Sequence, residues 1–331
     1  MKILFALLLF GLPISLSAQD GKTEAQTEGI EKQLRLADEL ESQGDGEGAL
    51  EVLQKLSESD PENADLLKRV AGLLIQSERY KEAIPPLRKM LEIKEGKAGD
   101  YIAVARLMIE AEENEAAVPF LKDAAKRFPE SADFALLLTF PLARLERWKE
   151  AIAEFEKTVE MAKGEAADVL EERFYFRYAA AHERAGQFEE AEKFFRKTLD
   201  LLKSVDPTDE NREFTATTLN YLAYMWVERG EELDEAGELA SAAAELSPES
   251  GAIADTLGWY HFQKGNYPRA LVELKKAERL IEEPDPVIFD HLGQTLVKLN
   301  EKTFAAEYFR KALELDPKNE EIKARLAGVK E

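Results

Sequence analysis

An alanine recurs along most of this chain of 331 residues at a nearly constant interval. Successive members of the series lie 34, 34, 34, 40, 45, 34 and 35 residues apart. The eight positions are Ala49, Ala83, Ala117, Ala151, Ala191, Ala236, Ala270 and Ala305. Four residues after each alanine stands a second apolar residue, namely Leu53, Leu87, Leu121, Phe155, Phe195, Ala240, Leu274 or Phe309. A period of this length predicts repeated units that each bury their apolar side against their neighbours.

The stretch from Gly251 to Pro284 shows what one unit contains. Each half places apolar and small residues at spacings of three and four, which is typical of an amphipathic helix. Gly265 and Asn266 interrupt the pattern, and Pro268 stands where a second helix would begin. The two stripes consist of Ala254, Leu257, Gly258 and His261, and of Ala270, Leu274 and Ala277. The unit is therefore predicted to be a helical hairpin that needs neighbours to bury its apolar side.

A 34-residue helix–turn–helix unit with this pattern resembles the tetratricopeptide repeat family. The resemblance covers roughly residues 30 to 319 and includes two further features. Three residues before the alanine, five units carry Tyr80, Trp148, Phe188, Leu233 or Tyr267, and twelve residues after it, four units carry Pro61, Pro129, Pro248 or Pro317. The resemblance implies an all-α fold, an α-solenoid of about eight units that winds into a right-handed superhelix and ends in a capping helix.

Composition shifts divide the chain further. We expect a signal peptide over residues 1–18, a disordered leader over 19–29, and five repeats over 30–205. A polar loop is predicted for residues 206–215, followed by three repeats over 216–319 and a capping helix over 320–331. Pro85 and Pro119 lie two residues after the key alanine, so the second helix of those repeats should begin late or kink.

Residues 1–18 have the three-part form of a secretory signal, with one lysine, an apolar run and small residues ending at Ala18. The apolar run is short for a membrane span, and the alternative of an uncleaved anchor is the weaker interpretation. The chain has no cysteine, which excludes lipid attachment through a cysteine, disulfides and thiolate metal sites. We therefore expect an exported protein, periplasmic or extracellular, that is not a lipoprotein and does not insert into a membrane once the signal is removed.

The charge balance bears on the choice of partner. With 66 acidic and 44 basic residues the formal net charge is −22. Such a surface repels phosphate backbones, so nucleic acid is not an expected partner. A protein or peptide partner remains, and a role of the charge in solubility alone is the competing interpretation.

No catalytic, cofactor-binding or metal-binding pattern is present. The histidines His182, His261 and His291 do not have a metal-binding spacing, and the first two lie on the packing stripe, which favours structural roles. Serine-nucleophile motifs are absent, and the match to a dinucleotide fingerprint at residues 44–49 lies where the other repeats turn. We predict a non-enzymatic protein without cofactors.

The resemblance implies that partners bind along the side of each first helix that faces the solenoid groove. Transferring the pattern of residues 251–263 to the other repeats marks a central row of side chains. Many of them are aromatic or arginine, the types that interfaces use as anchors. Besides Leu136, the candidates are Phe140, Arg173, Phe176, Arg177, Arg184, Asn220, Tyr221, Tyr224, Asp255, Trp259, Phe262, Asp290 and Gln294. Two alternatives stay open: Trp259 or Tyr224 could pack between helices, and the arginines could form only weak surface ion pairs.

Three functions compete at this stage. An exported scaffold or adaptor follows from the repeats, the signal and the missing active-site motifs, and the last repeats resemble those of bacterial envelope tetratricopeptide proteins. A holdase chaperone of low specificity is the alternative, favoured if bare apolar patches bind many clients. An enzyme subunit with an unrecognised site is the least supported. The identity of the partner and the oligomeric state do not follow from the sequence.

Overall fold

The computed structural model describes residues 24–162 and 168–330. These residues form seventeen α-helices and no strand, which confirms the all-α prediction. The chain divides into two compact bodies, an N-terminal body (residues 1–166) and a C-terminal body (residues 167–331). The N-terminal body contains α1 (Glu24–Ser42), α2 (Gly46–Ser59), α3 (Ala64–Gln76), α4 (Tyr80–Ile93), α5 (Ala98–Glu110), α6 (Asn114–Arg127), α7 (Asp133–Arg144) and α8 (Trp148–Met161). The C-terminal body contains α9 (Glu172–Arg184), α10 (Phe188–Leu202), α11 (Asp209–Arg229), α12 (Leu233–Leu246), α13 (Gly251–Gln263), α14 (Tyr267–Leu280), α15 (Pro286–Lys298), α16 (Lys302–Leu315) and α17 (Glu320–Lys330).

The helices pair as hairpins, and every periodic alanine lies in the second helix of its hairpin. All eight alanines are 0% exposed, and the residues four positions later are buried as well. Alanine is suited to this position because a side chain of one methyl group lets two helix backbones approach closely. The alanine series therefore marks the packing axis of the repeats, as the sequence predicts.

The turn inside each hairpin contains a residue in the left-handed conformation. Four turns use glycine, and the others use glutamate or asparagine: Gly44, Glu78, Glu112, Glu146, Gly186, Gly230, Gly265 and Asn300. A left-handed residue ends the first helix and reverses the chain within three residues. The same local geometry thus recurs in all eight hairpins.

Two prolines were expected to delay or kink a helix, and they do not delay it. Helix α4 begins at Tyr80 and contains Pro85, and helix α6 begins at Asn114 and contains Pro119. Both helices start three residues before the periodic alanine, in the same register as α8, α10, α12 and α14. The prediction of a late start is wrong, because packing of the alanine face sets the helix start. The prolines, two in α4 and one in α6, remove N–H donors only further along each helix.

The start of the first helix also differs from the expectation. Helix α1 begins at Glu24, so the part of the predicted leader from residue 24 to 29 is helical. Residues 1–23, which include the predicted signal peptide, lie outside the described residues.

The predicted polar loop over residues 206–215 is mostly helix. Helix α11 begins at Asp209, and the side chain of Thr208 caps it by accepting a hydrogen bond from the backbone N–H of Asn211 at 3.2 Å. Its extra turns pack on α9, where Phe214 lies edge-on to Phe176 with ring centroids 5.2 Å apart. The polar composition suggested a loop, but the cap and one apolar anchor are sufficient to extend the helix.

Helix α17 covers the last hairpin. Ile322 is buried in a cluster with residues of α15 and α16, and Leu326 and Val329 pack against the same cluster. Arg325 donates a hydrogen bond to Asp290 of α15 at 2.6 Å. The apolar side of α16 is therefore shielded from water, as a solenoid end requires.

Candidate functional site

The thirteen candidate residues fall in both bodies. Phe140 is half-buried in α7 of the N-terminal body, and the other twelve belong to α9, α11, α13 and α15 of the C-terminal body. Within the C-terminal body, the first helices of neighbouring hairpins contact each other, α11 with α13 and α13 with α15. Side chains from these successive helices therefore lie side by side.

Three of the candidates are exposed. Arg173 pairs with Glu210 at 2.6 Å and lies over the Phe214 ring at 4.9 Å, and Arg184 pairs with the adjacent Glu183 at 3.3 Å. Such exposed pairs contribute little to stability, so both guanidinium groups remain available to a partner. Tyr221 is 38% exposed.

Phe176 and Tyr221 belong to an aromatic cluster between α9, α10 and α11. The Phe176 ring contacts Tyr221 at 5.1 Å, Phe195 at 5.7 Å and Phe214 at 5.2 Å between centroids. All three contacts are edge-to-face, the geometry that aromatic quadrupoles favour. The cluster fixes the exposed ring of Tyr221 in one orientation.

Arg177 and Tyr224 are half-buried. Burial lowers the pKa of the Arg177 guanidinium, while the nearby Glu171 carboxylate opposes the shift. Burial raises the pKa of the Tyr224 phenol, and the carboxylates of Glu228 and Asp255 add to the shift. Tyr224 therefore stays a neutral hydrogen-bond donor beside two carboxylates.

Asp255, Trp259 and Asp290 do not lie on an exposed side, which corrects the expectation from the repeat pattern. Their exposed fractions are 5%, 7% and 8%. The indole of Trp259 stacks between Phe262 at 4.3 Å and His291 at 4.0 Å. Trp259 therefore packs between helices, the alternative left open by the sequence, because the next hairpin covers its ring.

His291, whose role the sequence did not suggest, is the centre of this buried cluster. Its Nδ1 donates to the two carboxylate oxygens of Asp255 at 2.9 and 3.1 Å, and its Nε2 lies 3.5 Å from Glu228. Because both ring nitrogens face carboxylates, both carry a proton and the imidazole is a cation. One side chain of α15 thus connects α11 and α13.

The electrostatics of the cluster support this protonation state. Burial alone would lower the pKa of His291, but Asp255 and Glu228 outweigh it and raise the pKa to about 9. The same contact is the main reason that the pKa of Glu228 is lowered against the effect of its own burial. The three groups therefore form an ionised triad at neutral pH.

A second polar contact set surrounds Asp290. Its Oδ2 accepts hydrogen bonds from Gln294 at 2.9 Å and from Arg325 of α17 at 2.6 Å. Burial raises the pKa of Asp290, and Arg325 and His291 oppose the shift. Gln294, a groove candidate, therefore helps to position a buried carboxylate.

A short motif could have revealed these residues. Asp-Thr-Leu-Gly over residues 255–258 and Asp-His-Leu-Gly over 290–293 occupy equivalent positions in consecutive repeats. An aspartate next to the packing stripe of a helix is buried only when a cation accompanies it. In the structure His291 accompanies Asp255 and Arg325 accompanies Asp290. These pairs are 36 and 35 residues apart in sequence, so the motif alone did not indicate them.

The other two histidines occupy packing positions. His182 is buried, with its Nδ1 2.6 Å from Gln187 Oε1 and its ring stacked on Phe194 at 5.4 Å. Burial lowers the pKa of the half-buried His261.

Residues 24–162 and 168–330 contain neither a candidate metal site nor a candidate membrane span. Among these residues, no three His, Asp or Glu side chains are grouped so that they could hold a metal ion. No helix in this part of the chain has the length and apolar composition needed to cross a bilayer.

Comparison with known proteins gives two kinds of match. A profile of the tetratricopeptide repeat matches residues 23–214, and a second one matches residues 288–319. A TPR repeat-containing protein of Pseudomonas aeruginosa is 35% identical over 79 residues, which are 24% of this chain and 13% of that protein. The anaphase-promoting complex subunit CDC16 of Saccharomyces cerevisiae is 33% identical over 90 residues, 25% of this chain and 11% of that protein. The aligned segments are thus small parts of both relatives.

Solved structures share the fold at low identity. The Cut9–Hcn1 hetero-tetramer structure of the anaphase-promoting complex aligns with a TM-score of 0.54 and 19% identity, over 85% of this chain and 52% of that one. The chain thus corresponds to about half of that neighbour. Pseudomonas aeruginosa pilF aligns with a TM-score of 0.51 and 16% identity, over 70% of this chain and 97% of that one.

The first profile spans more than half of the chain, and the described residues contain the eight hairpins and the buried alanine series that the repeat requires. The chain belongs to the tetratricopeptide repeat family.

Proposed function

We propose that this protein is an exported, non-enzymatic scaffold that binds segments of partner proteins along the first helices of its repeats. The observation that carries the proposal is the row of exposed aromatic and arginine side chains on consecutive first helices, Arg173 and Arg184 on α9 and Tyr221 on α11. Arginine and tyrosine supply directed donors and large contact areas, which makes them frequent interface anchors. Family membership supports the same role, since tetratricopeptide repeats typically bind peptides or protein segments.

The rigid surroundings of Tyr221 strengthen this interpretation. Its ring is held by Phe176 and Phe195, so binding would not have to immobilise it. A side chain that is ordered before binding saves entropy when the complex forms. An exposed tyrosine that is already fixed is a suitable anchor for a partner.

Site-specific crosslinking tests the binding surface. A photoreactive amino acid replaces Tyr221, Arg184 or Arg173 in one set of variants. In the control set it replaces Val272 of α14 or Phe304 of α16, which are exposed second-helix residues. We expect adducts with a defined partner from the first set and none from the second. Equal adducts from both sets, or the same yield with reduced and unfolded model proteins, would contradict a dedicated scaffold.

Export is tested by the N-terminus of the mature protein. The signal over residues 1–18 motivates this part of the proposal. Expressed in a Gram-negative host, the protein should be recovered from the periplasmic fraction with an N-terminus at Gln19, or at Ala18 if cleavage follows Ser17. Recovery of the unprocessed chain from the cytoplasm would refute export and leave the binding surface untouched.

A further inference from the structure

One buried cation forms the polar link between three first helices of the C-terminal body. His291 of α15 is 4% exposed and contacts Asp255 of α13 and Glu228 of α11. Within the described residues, every hydrogen bond or ion pair between α15 and these two helices involves His291. Apart from apolar packing, the spacing of the three helices therefore rests on one side chain.

The link requires the imidazole to be charged. Its ring stacks on Trp259 at 4.0 Å with an angle of 12° between the planes, and the face of an indole attracts a cation. A neutral imidazole would lose this attraction and could donate from only one ring nitrogen. The other nitrogen would then turn a lone pair toward Asp255 or Glu228. Loss of one proton thus replaces an attractive contact by a repulsive one.

The surroundings of the imidazole leave it as the group that titrates between pH 7 and pH 10. The groups that face it are Glu228 and Tyr224 of α11, Asp255 of α13, Asp290 of α15 itself and, through Asp290, Arg325 of α17. Carboxylates and guanidinium groups keep their charge over this range. Burial raises the pKa of the Tyr224 phenol, so it stays neutral. Burial would lower the pKa of His291, but Asp255 and Glu228 raise it to about 9.

The second helices of the same hairpins are joined by contacts that persist over this range. Lys275 of α14 donates a hydrogen bond to the Tyr308 hydroxyl of α16, and this hydroxyl donates to Glu278 of α14 at 2.9 Å. Burial would lower the pKa of Lys275, but Tyr308 and Glu278 hold it above its ordinary value. Lys275 therefore stays charged, and α14 and α16 remain connected when His291 loses its proton.

We propose that Glu228, Asp255 and His291 form a pH-dependent clasp, and that loss of the His291 proton lets α15 move away from α13 while the hairpins stay folded. The contacts between α14 and α16 act as the hinge. Units of a repeat array contact only their neighbours, so a change at this interface alters the surface that the first helices of this body present. The clasp is a property of the chain alone and does not depend on the proposed partner binding.

Distances between spin labels test the movement. The chain has no cysteine, so labels attach only at introduced sites. Ala252→Cys with Val287→Cys places them on exposed, equivalent positions of α13 and α15, and Val272→Cys with Glu307→Cys does so on α14 and α16. Between pH 7 and pH 10, we expect pulsed EPR to show an increase of more than about 2 Å for the first pair and no change for the second. Circular dichroism should retain the helical signal.

Three variants in the first labelled background complete the test. His291→Gln should give the larger distance at pH 7 already and no further change with pH. Glu228→Gln removes one of the two carboxylates that raise the pKa of His291, so the midpoint of the distance change should move to lower pH. Glu228 is partly exposed, which makes this variant independent of any folding defect in His291→Gln. Arg325→Gln, outside the triad, should leave the midpoint unchanged.

Three outcomes would overturn the proposal. The first is a constant distance for the α13–α15 pair while NMR shows the His291 ring losing its proton. The second is an equal increase for both labelled pairs, which would mean that the hairpins separate without a hinge. The third is a loss of helical signal together with the increase, because the change would then be unfolding.

Discussion

Three of the eight hairpin turns place a glutamate where glycine is the least strained residue. The φ angles of Glu78, Glu112 and Glu146 are 58°, 57° and 55°. A side chain with a Cβ atom pays about 1–2 kcal/mol in this conformation. The repeat period keeps these positions in the turn, so their strain is inherent to the hairpin geometry.

Replacing one of these glutamates should stabilise the protein. Glu112 is exposed and forms no ion pair with a described residue, so Glu112→Gly removes strain without loss of a contact. We expect the free energy of unfolding to rise by about 1 kcal/mol in a urea titration followed by circular dichroism. The reverse change at an equivalent turn, Gly186→Ala, should lower it by a similar amount. A stability loss in Glu112→Gly would refute the strain argument.

Replacing a glycine of the packing face by alanine should lower stability, whereas the same replacement of a glycine in open space should raise it. A Cβ atom added to Gly293 would lie 2.4 Å from the Phe309 ring, whereas one added to Gly72 meets no atom within 4 Å. We expect Gly293→Ala to lower the free energy of unfolding by about 1–3 kcal/mol through overpacking. Gly72→Ala should raise it by up to about 1 kcal/mol, since alanine is the better helix former. Equal effects of the two substitutions would show that α15 and α16 can separate without cost.

At the scale of the elements, the ionised triad is the main link between α11, α13 and α15 besides apolar packing. Glu228 comes from α11, Asp255 from α13 and His291 from α15. Removal of the His291 side chain leaves the buried carboxylate of Asp255 without its cation, which is strongly destabilising. The three helices are therefore held in register by charge as well as by shape.

The triad makes stability depend on pH. The pKa of His291 is raised to about 9, so its contribution is complete below the ordinary pKa of histidine and is lost as the pH rises through about 9. We expect the melting temperature to fall between pH 7 and pH 9.5, with a loss of free energy of at most about 3 kcal/mol. His291→Gln should be less stable at pH 7 and should lose much less over the same range. Parallel pH profiles for the two proteins would contradict the assignment of the charge to His291.

Arg325 provides a control for this pH profile. Arg325 pairs with Asp290, the residue before His291, which is not a member of the triad. Arg325→Gln should lower stability at pH 7 because the buried Asp290 carboxylate loses its cation. The decline above pH 7 should nevertheless remain, since the His291 contacts are intact.

At the scale of the whole molecule, α17 is needed because a repeat array leaves the apolar side of its last hairpin open. Ile322 is 3% exposed in the cluster of α15 and α16. We expect Ile322→Ala to lower the free energy of unfolding by about 2–4 kcal/mol. The matched control is Lys323→Ala, because among the described residues the Lys323 side chain pairs only with the exposed Glu320. This substitution should change the free energy of unfolding by less than about 0.5 kcal/mol. Similar values for the two variants would show that α17 does not seal the array.

The alanine period and the apolar residue four positions later were sufficient to predict the repeat fold, because burial at a helix–helix contact imposes a local pattern. Each hairpin obeys that pattern within its own 34 residues. The start of α11 was less predictable because the long-range contact between Phe214 and Phe176 holds its added turns, while Thr208 caps them locally. Composition alone could not show that Phe214, in a polar segment, packs on Phe176, 38 residues earlier.

The sequence by itself determined the repeating hairpin, the buried alanines and the set of side chains on the first helices. Only the tertiary structure decided which of these side chains are accessible, since the next hairpin covers Trp259 with His291 but leaves Tyr221 open. It also brought Glu228, Asp255 and His291 together from three repeats. The physical reason is range: helix periodicity is fixed by neighbours in sequence, whereas burial and charge pairing depend on which helix stacks on which.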